Sequence, residues 1–200
     1  MNVFFEEDGA FKVAHVMADA GTSLQVESVS GKRSKIKASA VLLRFDSALA
    51  DFMPAVQALA ADIDPQFLWE AFGDGEFGCE DMAAEYFGHK PSAIEAAAVA
   101  EKLHAAPMYF YKRGKGRYQK APEDNLKAAL ASIERKKREA EQMAGWVAAL
   151  VGGTMPPELA AHRDTLLYKP DRNTLIAKAC DKAVAETGKA LPQLFFEAGA

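Results

Sequence analysis

The spacing of apolar residues changes after Phe45, and this change limits the possible folds more than any other feature of the sequence. Before it, short segments alternate apolar and polar residues with the period of a half-buried strand. After it, apolar residues recur at every third or fourth position, which is the period of an amphipathic helix. Strands followed by helices, rather than alternating with them, predict an α+β fold.

Residues 1–46 are predicted to form a small β domain. Phe11, Val13, His15 and Met17 share one face of a predicted strand, and similar short segments precede and follow it. The turn signals between these segments are Asp8-Gly9, Asp19-Ala20-Gly21 and Ser30-Gly31. The pattern predicts a five-strand meander. Because too few residues remain for a sandwich, we expect a small SH3-like barrel.

Residues 47–122 are predicted to form a winged-helix-like domain. A linking helix interrupted at Pro54 comes first, and Asp64-Pro65 then gives an N-cap followed by proline at the first helical position. Two further short helices follow, the second beginning at Pro91-Ser92. The next segment has aromatic residues on both sides of Gly114-Lys115-Gly116, which predicts a β-hairpin. Three helices followed by a hairpin is the order of a winged helix.

Residues 123–200 are predicted to be helical. Apolar positions from Glu123 to Val151 alternate at spacings of four and three, which predicts one long amphipathic helix ending at Gly152-Gly153. At about 1.5 Å per residue such a helix would span on the order of 40 Å, so we expect it to brace or join its neighbours. Three more helical segments follow it.

Composition and charge favour a cytoplasmic protein. Every window of 18 residues contains charges, and acidic residues stand at the N-terminus where a signal peptide would be positive. We therefore expect no membrane association. Cys79 and Cys180 lack metal-ligand spacing, so two buried thiols are expected. The net charge of −4 disfavours general nucleic-acid binding, although basic residues cluster in two places.

The first basic cluster is the predicted hairpin, where aromatic and cationic residues alternate. A binding site for single-stranded nucleic acid needs aromatic rings that stack on bases and cations that neutralise phosphates. The candidate nucleic-acid-binding residues are Tyr109, Tyr111, Lys112, Arg113, Lys115, Arg117, Tyr118 and Lys120. The alternative is a wing whose tyrosines are core residues and whose lysines are merely solvated.

The second basic cluster lies on the predicted strand KRSKIK. Its candidate contacts to a nucleic-acid backbone are Lys32, Arg33, Lys35 and Lys37. Lysines on an edge strand that block aggregation would give the same pattern, and this alternative stays open. A third charged run, from Glu134 to Glu139, is flanked by acids and is better explained as a solvated helix face.

Groups with the arrangement of a catalytic or metal site are not apparent. The histidines show no paired ligand spacing, and Asp64 is explained as a helix cap. We expect neither a catalytic residue nor a cofactor or metal ion within this chain. The third helix of the predicted winged helix carries Glu95 and Glu101, which would repel phosphates, so reading of duplex DNA is disfavoured.

Several stretches resemble the N-terminal region of bacterial ribonuclease II-like proteins, the RNB family. They are MNVFFEEDGAFKVAHV, FLWEAF with AAEYFG, and APMYFYKRGKGRYQKAPEDNLKAAL. The last part, KPDRNTLIAKACDKAVAETGKALPQLFFEAGA, is similar to the helical segment that precedes the catalytic domain in that family. The resemblance covers nearly the whole chain. It implies processive 3′ to 5′ hydrolysis of RNA, with carboxylates holding magnesium ions in a catalytic domain that follows this region.

Two departures limit what this resemblance implies. The aromatic motif of the cold-shock domains that begin better-known members is missing, and so is the aspartate-rich active-site motif of the family. We therefore expect a monomeric region that binds single-stranded RNA and guides it to a catalytic domain that these 200 residues do not include. The alternatives are a dimeric winged-helix regulator that binds duplex DNA, and a protein-interaction module in which the basic hairpin is incidental.

Overall fold

The computed structural model describes residues 1–199, and their fold is α+β. The chain divides into two compact units, Met1–Lys127 and Ala128–Ala200. The first unit contains both sheets and the second is helical. The α+β prediction is confirmed, whereas the predicted division into three domains stays a prediction.

The first sheet of the described residues has five antiparallel strands in the order β4-β3-β2-β1-β5. The strands are β1 (Asn2–Glu7), β2 (Ala10–Asp19), β3 (Ser23–Ser28), β4 (Arg33–Lys37) and β5 (Val41–Phe45). A 3-10 turn at Ala38–Ala40 redirects the chain, so β5 pairs with β1 and not with β4 as a simple meander would require. The sheet is open, because its edge strands β4 and β5 are not paired with each other in the described residues. The predicted closure into a barrel is therefore not observed.

Strand β1 is buried on both faces and organises the first unit. Val3 and Phe5 pack with Leu24, Val26 and neighbouring residues in one cluster within the sheet. Phe4 faces the other way and joins the larger cluster formed with the helices. Glu6 follows Phe4 on that helical side, because alternate residues of a strand share a face.

The helical part of the first unit packs against that side of the sheet. Its helices are α1 (Leu49–Asp62), α2 (Pro65–Ala71), α3 (Cys79–Phe87) and α4 (Ala93–Ala105). Helix α1 continues through Pro54, where we predicted an interruption. Asp64 accepts a hydrogen bond from the backbone N–H of Gln66 and caps α2 as predicted. Helix α4 has a run of buried residues, Ala96 to Ala100, and lies in the middle of the unit.

A second sheet joins the hairpin to a short strand that we did not predict. Strand β6 (Glu76–Gly78) pairs with β8 (Arg117–Lys120), which pairs with β7 (Phe110–Gly114), giving the order β6-β8-β7. Strand β6 is only three residues long and follows Gly73 and Gly75, which read as a loop. A strand this short does not show the alternation of apolar and polar residues. The hairpin is confirmed, and it is the middle and edge of a three-stranded sheet.

The second unit begins within the long helix α5 (Glu123–Val151), whose predicted bounds are confirmed. Its remaining helices are α6 (Pro157–Ala160), α7 (Arg163–Tyr168), α8 (Leu175–Thr187) and α9 (Leu191–Glu197). Val147, Leu150, Leu159, Cys180 and Phe195 are among the residues of its core. All residues from 133 to 142 are exposed, including the charged run that we interpreted as a solvated face. Among the described residues no helix combines the length and apolar character that crossing a membrane requires.

Candidate nucleic-acid surface

The tip of the β7–β8 hairpin is fixed against the first sheet. Gly116 has φ +67°, and a Cβ at this position would lie 3.0 Å from the side chain of Leu42 in β5. Glycine therefore satisfies both the left-handed backbone and the close approach. The contact places the basic tip of the hairpin beside the β domain.

Lys112 connects the hairpin to β1 through an ion pair with Glu6. The Glu6 side chain is 6% exposed and that of Lys112 is 37% exposed. Because a buried carboxylate is costly without a cationic partner, Lys112 has a structural role at this position.

Tyr118 and Lys120 face inward, although we predicted that both contact nucleic acid. Tyr118 is 1% exposed and belongs to the larger core cluster. Lys120 donates to the backbone oxygen of Phe72 at 2.9 Å, and its ammonium group lies 4.3 Å from the ring centroid of Trp69. Neither residue presents a free base-stacking ring or phosphate-binding cation.

The alternation of the hairpin explains which of its residues face inward. Lys112 pairs with Tyr118 and Phe110 pairs with Lys120, so these four residues share the face that meets the core. Tyr111 pairs with Gln119 and lies on the opposite face.

Three candidates of the hairpin point outward but have partners. The hydroxyl of Tyr111 accepts a hydrogen bond from Asn125 at 3.3 Å, and the ring is half-buried. Arg113 donates to Gln119 at 2.8 Å. Arg117 lies 3.6 Å from the carboxylate of Glu76. These contacts are on the surface, where each contributes little and can be exchanged for a ligand.

Tyr109 and Lys115, the last two hairpin candidates, differ in exposure. Tyr109 is half-buried and packs against the core, near the ring of Phe110. Lys115 is exposed at the tip of the hairpin. Of the eight hairpin candidates, Lys115 is thus the clearest outward-facing cation.

The second predicted basic cluster lies on the edge strand β4. Ile36 points into the sheet, whereas Lys35 and Lys37 are exposed on the opposite side. Arg33 donates to Glu27 at 2.8 Å and remains largely exposed. Lys32 is exposed in the turn that precedes the strand.

The fold brings the two basic clusters together. Lys35, Lys37 and Lys115 line one cavity of about 230 Å³ beside the β1–β2 turn, and we call these three residues the lysine cleft. They come from an edge strand and a hairpin tip that are far apart in sequence. The sequence predicted both clusters but not their proximity.

Acidic groups at the lysine cleft are largely matched by other cations. Glu6 pairs with Lys112, and Glu7 accepts a hydrogen bond from Lys12 at 2.7 Å. The hydrogen bond and charge of Lys12 lower the pKa of Glu7, and Lys32 and Lys115 add smaller effects of the same sign. Asp8 lines the cavity as well, so three carboxylates and three lysines face it, and a positive balance depends on Lys12 and Lys112, which pair with two of the carboxylates.

A second cavity, which the sequence did not indicate, lies between α4 and the hairpin. We call this space of about 270 Å³ the hairpin pocket. It is lined by Leu103, His104, Pro107, Phe110, Tyr111, Lys112 and Tyr118.

The cysteine thiols and the possible metal ligands were also located in the structure. No group of three or more histidine, cysteine, aspartate or glutamate side chains among residues 1–199 is arranged to hold a metal ion. Cys79 and Cys180 are buried as predicted, and burial raises the pKa of each thiol to about 11. A thiol with such a pKa is a poor nucleophile at neutral pH.

Comparisons of the chain with models of protein families, with curated proteins and with solved structures each found no match.

Proposed function

We propose that the first unit binds single-stranded RNA and guides it, as the N-terminal region of a ribonuclease II-like exoribonuclease whose catalytic domain is not part of these 200 residues. The observation that carries the proposal is the lysine cleft, in which two separate basic clusters converge on one surface. The resemblance of the sequence to the RNB family supplies the parent enzyme and its magnesium-dependent chemistry. The chain itself acts through binding, as a monomer in the cytoplasm.

The lysine cleft suits a phosphate backbone. Lys35 and Lys37 are two residues apart on an edge strand, so both ammonium groups extend to the same side. Lys115 adds a third cation from the hairpin. For a single strand, each neutralised phosphate contributes about −0.7 to the slope of log K against log salt, so three contacts predict a slope of about −2.

Base stacking has a smaller part in this proposal than the sequence suggested. Tyr118 is in the core and Tyr109 is half-buried, which leaves Tyr111 as the accessible tyrosine of the hairpin. Binding by the first unit therefore depends mainly on charge, and a strong dependence on salt is expected.

We assign the segment from α2 to β8 as a winged helix and the first sheet as an open SH3-like sheet. The order helix, strand, two helices and hairpin, with the strand arrangement β6-β8-β7, supports the first assignment. The pairing of β5 with β1 after a 3-10 turn supports the second. RNA recognition uses the hairpin of the winged helix and the edge of the sheet.

A regulator that reads duplex DNA fits the first unit less well. A winged helix of that kind inserts its third helix into the major groove. Here that helix is α4, which is largely buried and contacts α1 and α3. Helix α4 contains no arginine that could read bases. It carries Glu101 instead, whose pKa is raised by burial.

The proposal is tested by reversing the charge of the lysine cleft in the full chain. The variant Lys35→Glu, Lys37→Glu and Lys115→Glu is compared with Lys169→Glu, Lys178→Glu and Lys182→Glu, a control with the same net change placed on exposed positions of the second unit. Fluorescence anisotropy with one labelled single-stranded RNA is measured at two salt concentrations.

The cleft variant is expected to bind at least tenfold more weakly than the control and to lose about two units of salt slope. Equal affinity of the two variants would contradict the proposal, because net charge would then account for the whole effect.

A further inference from the structure

Strand β4 forms one edge of the first sheet, and the hydrogen bonds on either side of it show which way its backbone groups point. Before the strand, the backbone N–H of Ser28 donates to the oxygen of Lys32 at 2.9 Å. After the strand, the backbone N–H of Ala38 donates to the oxygen of Thr22 at 3.0 Å. Strands β3 and β4 pair without a register shift between these two bonds. The two bonds therefore fix the alternation of the whole strand.

The outward backbone groups of β4 belong to its three basic residues. In an antiparallel ladder the hydrogen-bonded pairs fall at every second residue, which directs the backbone groups of Ser34 and Ile36 toward β3. The N–H and C=O groups of Arg33, Lys35 and Lys37 then point away from β3. Because no strand of residues 1–199 pairs with that side of β4, these groups are available to another chain.

The side chains of β4 give its two faces different chemistry. Arg33, Lys35 and Lys37 are exposed on one face, whereas Ile36 is buried on the other. Phe5 belongs to the same apolar cluster as Ile36, and both residues line the cavity of the lysine cleft. The edge of the sheet thus offers a cationic face and an apolar face to an added strand.

An added strand would need residues that match both faces. Acidic side chains suit the cationic face, because opposite charges on neighbouring strands attract. Uncharged apolar side chains suit the other face, since the carboxylates of Glu6, Glu7 and Asp8 line the cleft and would repel acids there. Pairing of β4 with a second copy of itself is disfavoured, because it would place cations opposite cations.

We propose that β4 binds an extended segment of a partner protein as an added antiparallel strand, and that this segment alternates acidic with apolar residues. Main-chain hydrogen bonds to Arg33, Lys35 and Lys37 hold the segment, and the charges of these side chains select it. The inference goes beyond the proposed function and does not rest on it. Lys35 and Lys37 also belong to the lysine cleft, so the segment and bound RNA compete for them.

The test uses a labelled peptide that alternates glutamate with valine, in anisotropy titrations with the full chain. Lys35→Pro is compared with Lys35→Ala. Both substitutions remove the charge, but only proline removes the N–H that points away from β3, and neither removes a hydrogen bond to β3. The alternating peptide is expected to bind the proline variant at least about fivefold more weakly than the alanine variant, which corresponds to one lost hydrogen bond.

A second probe leaves the protein unchanged. In an antiparallel addition the glutamates lie opposite Arg33, Lys35 and Lys37 and direct their N–H groups at β4, whereas the N–H groups of the valines point away. N-methylation of the glutamates should therefore abolish binding, and N-methylation of the valines should leave the affinity within about twofold. Any other pattern would overturn the added antiparallel strand.

Single-stranded RNA is titrated against the same two variants. The proposed RNA contact uses the charge of Lys35 and not its N–H, so alanine and proline should weaken RNA binding equally. Equal affinity of the alternating peptide for both variants, or equal binding of a peptide with the same composition but contiguous glutamates, would overturn the inference and leave the proposed function intact. RNA that fails to bind while the alternating peptide binds would overturn the proposed function alone.

Discussion

Replacement of Lys112 by methionine is expected to destabilise the first unit by about 2 kcal/mol. The substitution keeps most of the apolar stem but leaves the Glu6 carboxylate, 6% exposed, without its cation. Breaking a fully buried pair costs about 3–5 kcal/mol, whereas an exposed pair contributes about 0–1 kcal/mol. Lys112 is 37% exposed, which places the expected loss between these limits.

The loss can be measured by urea unfolding because each unit has one tryptophan, Trp69 in the first and Trp146 in the second. In a Trp146→Phe background, Trp69 fluorescence reports on the first unit alone. The free energy of unfolding is extrapolated to water for the parent and the variant.

Lys115→Met is the matched control for this measurement. Lys115 is also a lysine of the hairpin but is exposed, so its replacement should change the free energy of unfolding by less than about 0.5 kcal/mol. A Lys112→Met variant that stays within about 0.5 kcal/mol of the parent, or equal destabilisation of the two variants, would show that Lys112 does not stabilise the buried Glu6 carboxylate.

Three further substitutions test local features by urea unfolding. Gly116→Ala should destabilise the first unit by about 1–2 kcal/mol, since it combines a positive φ with a contact to Leu42; an unchanged midpoint would argue against that packing. Thr174→Ala removes the side-chain cap of α8 and should cost the second unit about 1 kcal/mol, and a loss below 0.3 kcal/mol would count against the cap. The backbone N–H of Ser92 lowers the pKa of Glu95, so the stability that Glu95 contributes is present at neutral pH and lost as pH falls below about 4.5 through its folded pKa. The stability difference between the parent and Glu95→Gln should therefore shrink over that acidic range, and a difference that is constant with pH would contradict this linkage.

The strands and helices were predictable because most of them have a clear period. The five strands up to Phe45, the helices and the hairpin all occur where apolar spacing placed them. The place of β5 was not predictable in the same way, because pairing with β1 depends on the 3-10 turn and on burying both faces of β1. Strand β6 was missed since three residues are too few to show alternation.

The candidate surface was predictable by segment but not by residue. Aromatic and cationic residues alternate along the hairpin, and composition does not say which face of the hairpin is buried. Phe110 and Tyr118 turned out to share the core face, and the register then places Lys112 and Lys120 on it as well. The lysine cleft joins distant segments, so it emerges from tertiary packing alone.

The proposed function of this chain is the binding of single-stranded RNA by charge. Its most direct test is an anisotropy titration of the unmodified chain with single-stranded RNA, single-stranded DNA and duplex DNA of one length, at two salt concentrations. We expect the tightest binding to single-stranded RNA, with a salt slope of about −2. Preference for duplex DNA, or binding to none of the three at low salt, would contradict it.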